Sequence, residues 1–405
     1  MKEFAAAKLV LSDGSVFRGF SFGAPRSVAG EVVFNTGMVG YPQSLTDPSY
    51  AGQILVFTYP LIGNYGVGSA KKDAHGLLTN YESNRIQTEA VVVSEYSFQH
   101  NHWDSCASLA EWLRDENVPA IFGVDTRALT IKLREKGVML GKIIVDGDEE
   151  NESVSGKEFR DPNAENLVAR VSRKRIEKFG NGKSGKNKNG SRGDLRVAVV
   201  DCGLKNNILR CLLERGVRAT VVPWDYDFNR LVDGGAVDGV FVSNGPGDPT
   251  QCGATIAHLK QALHAERSVP VFGICMGNQL LALAAGAKTF KLKYGHRSQN
   301  QPCVNAQAFA SIAEGRGFVT SQNHGYAVDA RTLPRGWREL FFNANDGTNE
   351  GVTHTSLPFF SAQFHPEGSC GPRDTEFLFD EFVSLMKLHS KKTLKKTSKK
   401  TSKQK

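Results

Sequence analysis

Phe272-Gly273-Ile274-Cys275-Met276-Gly277-Asn278-Gln279 is the stretch on which the fold turns. The apolar run Val269-Pro270-Val271-Phe272 leads into it as a short buried strand, and the helix formers Leu280-Leu281-Ala282-Leu283-Ala284-Ala285 lead out. Cys275 therefore falls on a strand-to-helix turn, between two glycines that permit a tight backbone. Such a turn lifts a side chain to the carboxyl end of a sheet. The N-terminus of the following helix favours the thiolate, which is the nucleophilic form of cysteine. A buried, inert cysteine is the competing reading of this stretch taken alone.

Downstream, Phe359-Phe360-Ser361-Ala362-Gln363-Phe364-His365-Pro366-Glu367 reads as a strand that ends in a histidine, with a carboxylate two residues on. Side chains at i and i+2 of an extended segment point the same way, so Glu367 can orient the His365 imidazole while His365 activates a thiol. By itself His-x-Glu is more often a solvated pair. Behind an elbow cysteine it supplies the base and the orienting group of a Cys-His-Glu triad.

Upstream, the alternation of apolar strands and helices from Leu195 onward predicts an α/β domain with a largely parallel sheet flanked by helices. Strands are expected at Val197–Val200, Ala219–Val222, Val240–Val242 and Val269–Ile274, with helices at Asn206–Glu214 and Thr255–Ala265. Catalytic groups at strand ends then share one face of that sheet. The first part of the chain reads differently. Its strand-like pieces are Lys8–Leu11, Glu31–Phe34, Gln53–Tyr59 and Glu89–Val93, with one helix around Ser108–Asp115.

The net charge of +8 is not spread over the surface. Nine lysines and no acid lie in 386–405, and eight basic residues against Glu177 lie in 173–193, so the rest of the chain is acidic. The first segment cannot bury a face and is read as a disordered tail over 387–405; the second is read as a flexible linker. Charge runs of this kind are usually solvated, and nucleic-acid binding is not expected of either. Seven scattered cysteines without a Cys-x-x-Cys pair argue against a disulfide framework or a zinc site. No apolar run approaches membrane-spanning length, and Met1-Lys2-Glu3-Phe4 passes at once into a strand-like run. A cytoplasmic enzyme without a membrane partner is the expectation.

Gly-x-Cys-x-Gly-x-Gln followed by His-Pro-Glu resembles the class I (triad) glutamine amidotransferases. Ser243-Asn244-Gly245-Pro246-Gly247-Asp248-Pro249 resembles that family's oxyanion loop, and Thr320–Val328 resembles the glutamine-site segment of the carbamoyl-phosphate synthetase small subunit. Gly30–Met38, Leu45–Gln53 and Gly123–Thr130 are similar to that member alone. Asp201–Lys205, Asn300–Cys303 and Asn343–Gly351 resemble most the glutaminase part of the eukaryotic pyrimidine-pathway enzyme, although an arginine-pathway subunit shares most of these motifs.

The resemblance implies a small β/β/α domain over 1–172, the linker over 173–193 and the amidotransferase domain over 194–386. It implies that Cys275, His365 and Glu367 are catalytic. Backbone amides of Met276 and Gly245 are candidate oxyanion donors, against an ordinary Pro-Gly turn at Gly245 and Gly247. Gln279, Asn323, Gly325, Tyr326, the Gly247 backbone and Ser49 would hold glutamine at a domain interface. His324 has two readings, a residue that orders glutamine or a hydrogen-bonded core histidine. Asn278 stands where most members have histidine, and as an amide it can both donate and accept at the helix's first turn.

The implied activity is a glutaminase that feeds ammonia to a synthetase large subunit or domain making carbamoyl phosphate. ATP, magnesium and bicarbonate would belong to that partner, with no cofactor in this chain. A catalytically weak regulatory or scaffolding subunit is the alternative.

Overall fold

The structure is a computed structural model that describes residues 4–148, 154, 156, 158–180, 195–265 and 268–401, with side chains of the last helix to residue 391. It is α/β throughout, and the two halves of the chain are built on different sheets.

In the first half, seven strands close into a barrel in the spatial order Ala6–Leu11, Val16–Ser21, Ala120–Phe122, Ala90–Val92, Gln53–Phe57, Val28–Asn35 and Met139–Val145. Gln53–Phe57 and Ala90–Val92 are buried on both faces because a core lies on each side of the sheet, and so they read as unbroken apolar runs. Successive residues of Val28–Asn35 feed two cores. Val32 packs in the cluster holding Leu129 and Leu133 of helix Thr126–Lys136, and Val33 in the cluster holding Leu109 and Leu113 of helix Leu109–Asp115. The latter helix starts at a full capping box, with Ser108 and Glu111 each bonding the other's backbone amide.

The second half is one ten-stranded sheet. Its centre is parallel, in the order Arg218–Pro223, Arg196–Asp201, Gly239–Val242, Val271–Ile274 and Phe359–Ala362. Beyond this block the sheet turns antiparallel through Asn349–His354, Trp337–Asn343 and the long hairpin Lys288–Asn305/Gly317–Asp329. All four strands expected from the alternation of elements lie in the parallel block, and Phe359–Ala362 extends it. Phe241, Phe272 and Phe360 sit side by side on adjacent central strands and pack on Phe379 and Phe382 of the last helix, with the Phe272 and Phe360 rings 4.4 Å apart.

Two expectations change here. The basic stretch from Arg173 begins as ordered structure: Arg173 pairs with the buried Asp201 at 2.9 Å and with Glu177 at 3.0 Å, and Glu177–Phe179 adds an antiparallel edge strand. A buried carboxylate needs a partner, and Arg173 supplies it. The remainder of the expected linker, 181–193, lies outside the described residues. At the other end, helix Phe377–Thr401 continues through residues expected to be disordered. Its first turns dock on the core, ending at Met386, which removes the nucleation cost, and lysine is a good helix former thereafter. Among the described residues no helix is long and apolar enough to cross a membrane.

Candidate active site

Cys275 occupies the turn between strand Val271–Ile274 and helix Met276–Ala285, with φ 54° and ψ −102°. This left-handed conformation is strained for a residue with a side chain and is the form taken by a nucleophile elbow. The glycines are there for contact. A Cβ on Gly277 would strike the Val242 carbonyl, and one on Gly273 would lie 2.5 Å from the Gly277 carbonyl. Helix and sheet can close on each other only because both positions are bare. The Cys275 thiol is 2% exposed and lies 3.6 Å from the Asn323 carbonyl oxygen.

His365 and Glu367 follow the neighbouring strand, Phe359–Ala362, so they stand at the same carboxyl end of the sheet. His365 Nδ1 is 2.6 Å from Glu367 Oε1, and both residues are buried. Lys205, just after strand Arg196–Asp201, completes the cluster: its Nζ lies 2.9 Å from Glu367 Oε1 and 3.4 Å from His365 Nδ1. Burial and Lys205 both oppose a charged imidazole, yet the Glu367 carboxylate and the contact with Cys275 prevail and push His365 up to about 10. Burial likewise opposes the Glu367 carboxylate, but Lys205 and His365 hold it down at about 2. Burial would lower Lys205, and the carboxylates of Glu367, Asp47 and Glu82 instead hold it above the ordinary lysine value. At neutral pH the three groups are a cation–anion–cation chain. Apart from its contact with Cys275, His365 Nε2 is buried without a hydrogen-bond partner among the described residues, which leaves it for the sulfur and its substrate.

A pocket beside the thiol is bordered by Ser49, Gly245, Gly247, Gln279, Asn323, His324, Gly325 and Tyr326, so the structure brings together nearly all the residues expected to hold glutamine. Met276 is packed behind Cys275 and does not border the pocket; its amide is the first of its helix and has no intrahelical acceptor. Gly245 lacks a side chain for a reason other than ligand approach, since a Cβ there would strike the Cys202 carbonyl. Gly247 has φ +82°, as a tight turn requires. Gln279 Nε2 donates to the Tyr326 carbonyl at 2.8 Å and to Gln363 Oε1 at 3.1 Å.

The pocket is an interdomain one. Asn244 Nδ2 donates to Ser49 Oγ at 3.0 Å, and Asn323 Nδ2 donates to Asp47 Oδ2 at 2.9 Å. For His324 the structure favours the core reading: Nδ1 is 2.8 Å from the Tyr326 carbonyl, Nε2 is 2.9 Å from the Gln322 amide, and burial drives its pKa well down. Asn278 is fully buried, donates to Gln363 Oε1 at 3.0 Å and accepts from Ser361 Oγ at 2.8 Å. It ties the nucleophile helix to the strand that carries His365.

Models of two families match this chain, "Carbamoyl-phosphate synthase small chain, CPSase domain" over residues 9–143 and "Glutamine amidotransferase class-I" over residues 198–385. A carbamoyl phosphate synthase arginine-specific small chain from Neosartorya fischeri is 50% identical, the match covering 94% of this chain and 80% of that protein. The chain belongs to the carbamoyl-phosphate synthase small-chain family. A protein of the same description from Phaeosphaeria nodorum is 49% identical, covering 93% of this chain and 75% of that one. The multifunctional protein pyr1-3 of Dictyostelium discoideum is 51% identical over 93% of this chain, yet this chain spans only 17% of its length. Small chains called arginine-specific and multifunctional proteins thus stand at the same distance, and identity does not separate the two kinds.

Three members of this small chain's site escape sequence reasoning. Lys205 meets His365 across 160 positions, and Asp47 reaches Asn323 across 276 positions. Gln363 lies just past strand Phe359–Ala362, in a run whose alternation reads only as packing.

Proposed function

We propose that this chain is the glutaminase component of a glutamine-hydrolysing carbamoyl-phosphate synthase, releasing ammonia from L-glutamine for a synthetase large subunit or domain. The strained Cys275 elbow beside the Lys205–Glu367–His365 chain carries this reading. A subunit with only a scaffolding role has no use for a φ of 54° at a cysteine, or for a buried imidazole whose Nε2 meets only the Cys275 thiol among the described residues.

The Cys275 sulfur attacks Cδ of glutamine, and the carbonyl electron pair moves to oxygen. Backbone amides of Met276 and Gly245 are the candidate donors to that oxyanion, each worth about 3 kcal/mol when preorganised. Collapse breaks the C–N bond as His365 Nε2 delivers its proton to the departing nitrogen, giving ammonia and a thioester. Water then attacks the thioester, His365 takes its proton, and glutamate leaves as the thiolate is restored beside a charged imidazole. Glu367 holds the imidazole through Nδ1 in every step, and Lys205 holds Glu367.

Ammonia in bulk water at neutral pH becomes ammonium, which is not a nucleophile, so it must travel enclosed. A second cavity shares Asn323 with the thiol pocket and is bordered by His365, Lys205, Gln43, Ser298 and Gln299. ATP, magnesium and bicarbonate would be used by the partner.

The test is a reconstituted complex with a carbamoyl-phosphate synthase large chain. Cys275→Ser is expected to abolish glutamine-dependent carbamoyl phosphate formation and to spare the ammonia-dependent reaction. Equal loss of both activities would show that Cys275 supports the assembly and is not its nucleophile.

A further inference from the structure

One charged side chain in the glutamine pocket has no charged partner. Arg297 lies on the long hairpin strand Lys288–Asn305, directly opposite Asn323, and borders the same pocket as Cys275. It is only 5% exposed, and no carboxylate pairs with it among the described residues. Its Nη1 donates to the Tyr294 carbonyl at 2.8 Å, and its buried Nε has no partner. The guanidinium rests over two bare glycines. A Cβ on Gly295 would strike Nη1, and one on Gly325 would lie 3.2 Å from Nη2.

Burying an arginine without a counter-charge is costly, and it persists where an anion arrives from outside. The pocket's own acid does not fill that role. Glu31 already accepts from Lys291 at 2.6 Å, Gln53 at 2.9 Å and Asn163 at 3.0 Å.

We propose that Arg297 anchors the α-carboxylate of L-glutamine, holding the amino-acid end of the substrate while its side-chain amide lies at Cys275. This deepens the glutaminase reading and rests on it. A planar guanidinium presents two parallel donors to a carboxylate, so the contact selects the free amino acid over amides that lack the group. Glycines at 295 and 325 are then part of the specificity device, because a side chain at either would displace the fork.

The experiment compares L-glutamine with 4-aminobutanamide, which is glutamine without its carboxylate. Affinities are measured by calorimetry on a Cys275→Ser background, and turnover by ammonia release on the otherwise unaltered chain. L-glutamine is expected to bind the Arg297-containing chain roughly 10- to 100-fold more tightly than 4-aminobutanamide, the range for a hydrogen-bonded charge. Arg297→Met should erase that ratio by weakening L-glutamine alone, and Arg297→Lys should recover part of it. In turnover the loss should fall on KM more than on kcat. Parallel weakening of both compounds in both variants would overturn the proposal and make Arg297 a structural residue. If Arg297→Met does not fold, equal affinity of the two compounds for the Arg297-containing chain overturns it as well. Tight, carboxylate-dependent binding without any turnover would instead retire the glutaminase reading and leave the anchor standing.

Discussion

Lys205→Met tests the electrostatics of the triad most directly. Lys205 Nζ lies 2.9 Å from Glu367 Oε1 and 3.4 Å from His365 Nδ1. At an effective dielectric of about 20, those separations correspond to ~6 kcal/mol of attraction to the carboxylate and ~5 kcal/mol of repulsion from a charged imidazole. The two nearly cancel while His365 is protonated, and only the attraction remains once it is neutral. Lys205 therefore acts chiefly on the His365 proton. Burial and Lys205 restrain a pKa that Glu367 still pushes up to about 10. Removing the amine should raise it further.

At neutral pH the imidazole stays charged and takes over as counter-ion to Glu367. The variant should then lose only about 1–2 kcal/mol in equilibrium denaturation, short of the 3–5 kcal/mol usual for an abandoned buried charge. The sign at high pH follows from linkage. A raised histidine stabilises the fold below its unfolded value near 6.5, and that stability is lost as pH rises through about 10. The variant, with a higher folded value still, goes on losing stability above that point, but the unaltered chain loses the contribution of its raised Lys205 over the same range, so the deficit stays nearly constant there. In the glutaminase assay the alkaline limb of kcat/KM should move up by at least about one unit, and kcat should fall because a more basic imidazole gives up its proton less readily. An alkaline limb that stays in place or moves down, together with a deficit of several kcal/mol already at pH 7, would refute the reasoning.

The other perturbations act on separate parts of the chain. A glutamine-shaped electrophile should label Cys275, which is 2% exposed, in preference to the exposed Cys106; peptide mapping that finds the adduct mainly on Cys106 contradicts the site. Asn278→His keeps a donor and an acceptor for Gln363 and Ser361, so glutamine hydrolysis should change by less than about tenfold, or roughly 1.4 kcal/mol. A thousandfold gain would mean that asparagine cripples the natural chain. Deleting 392–405 removes helix beyond Met386, the last fully buried residue, and beyond Leu388, already 57% exposed. The melting temperature should move by less than about 2 °C, and a larger drop would show that the tail docks on the body.

The parts of this architecture that were legible are those fixed by local chemistry. Gly273 and Gly277 around Cys275 announced the elbow, because only bare positions let that helix close on that sheet. Asn206–Glu214 was readable to the residue from its apolar period and the glycine behind it. The long hairpin Lys288–Asn305/Gly317–Asp329 was not. It carries His296, Arg297, Gln322, Asn323 and His324 buried, so apolar alternation fails just where the pocket wall is built. The C-terminal helix misled in the opposite direction. Its lysine-rich composition has no face to bury, but Phe379, Phe382 and Met386 dock its first turns and the helix continues from them.

The division of labour between the two halves follows from the same distances. Asp47 belongs to the barrel half, yet it accepts from Asn323 beside the nucleophile and caps the turn that presents Ser49. Asp47 and Glu82 also help to hold Lys205 charged, Lys205 restrains His365, and His365 would carry the proton for the proposed release of ammonia. The imidazole's acidity is therefore set by carboxylates from both halves of the chain. A field that falls off with separation makes such a triad sensitive to how closely the barrel sits against the amidotransferase sheet. The amidotransferase half alone would keep Cys275, His365 and Glu367, but it would lose two of the carboxylates that hold Lys205 and the residues that present Ser49. The barrel is thus part of the catalytic electrostatics, which gives a physical reason for a glutaminase to carry a second domain against its active site.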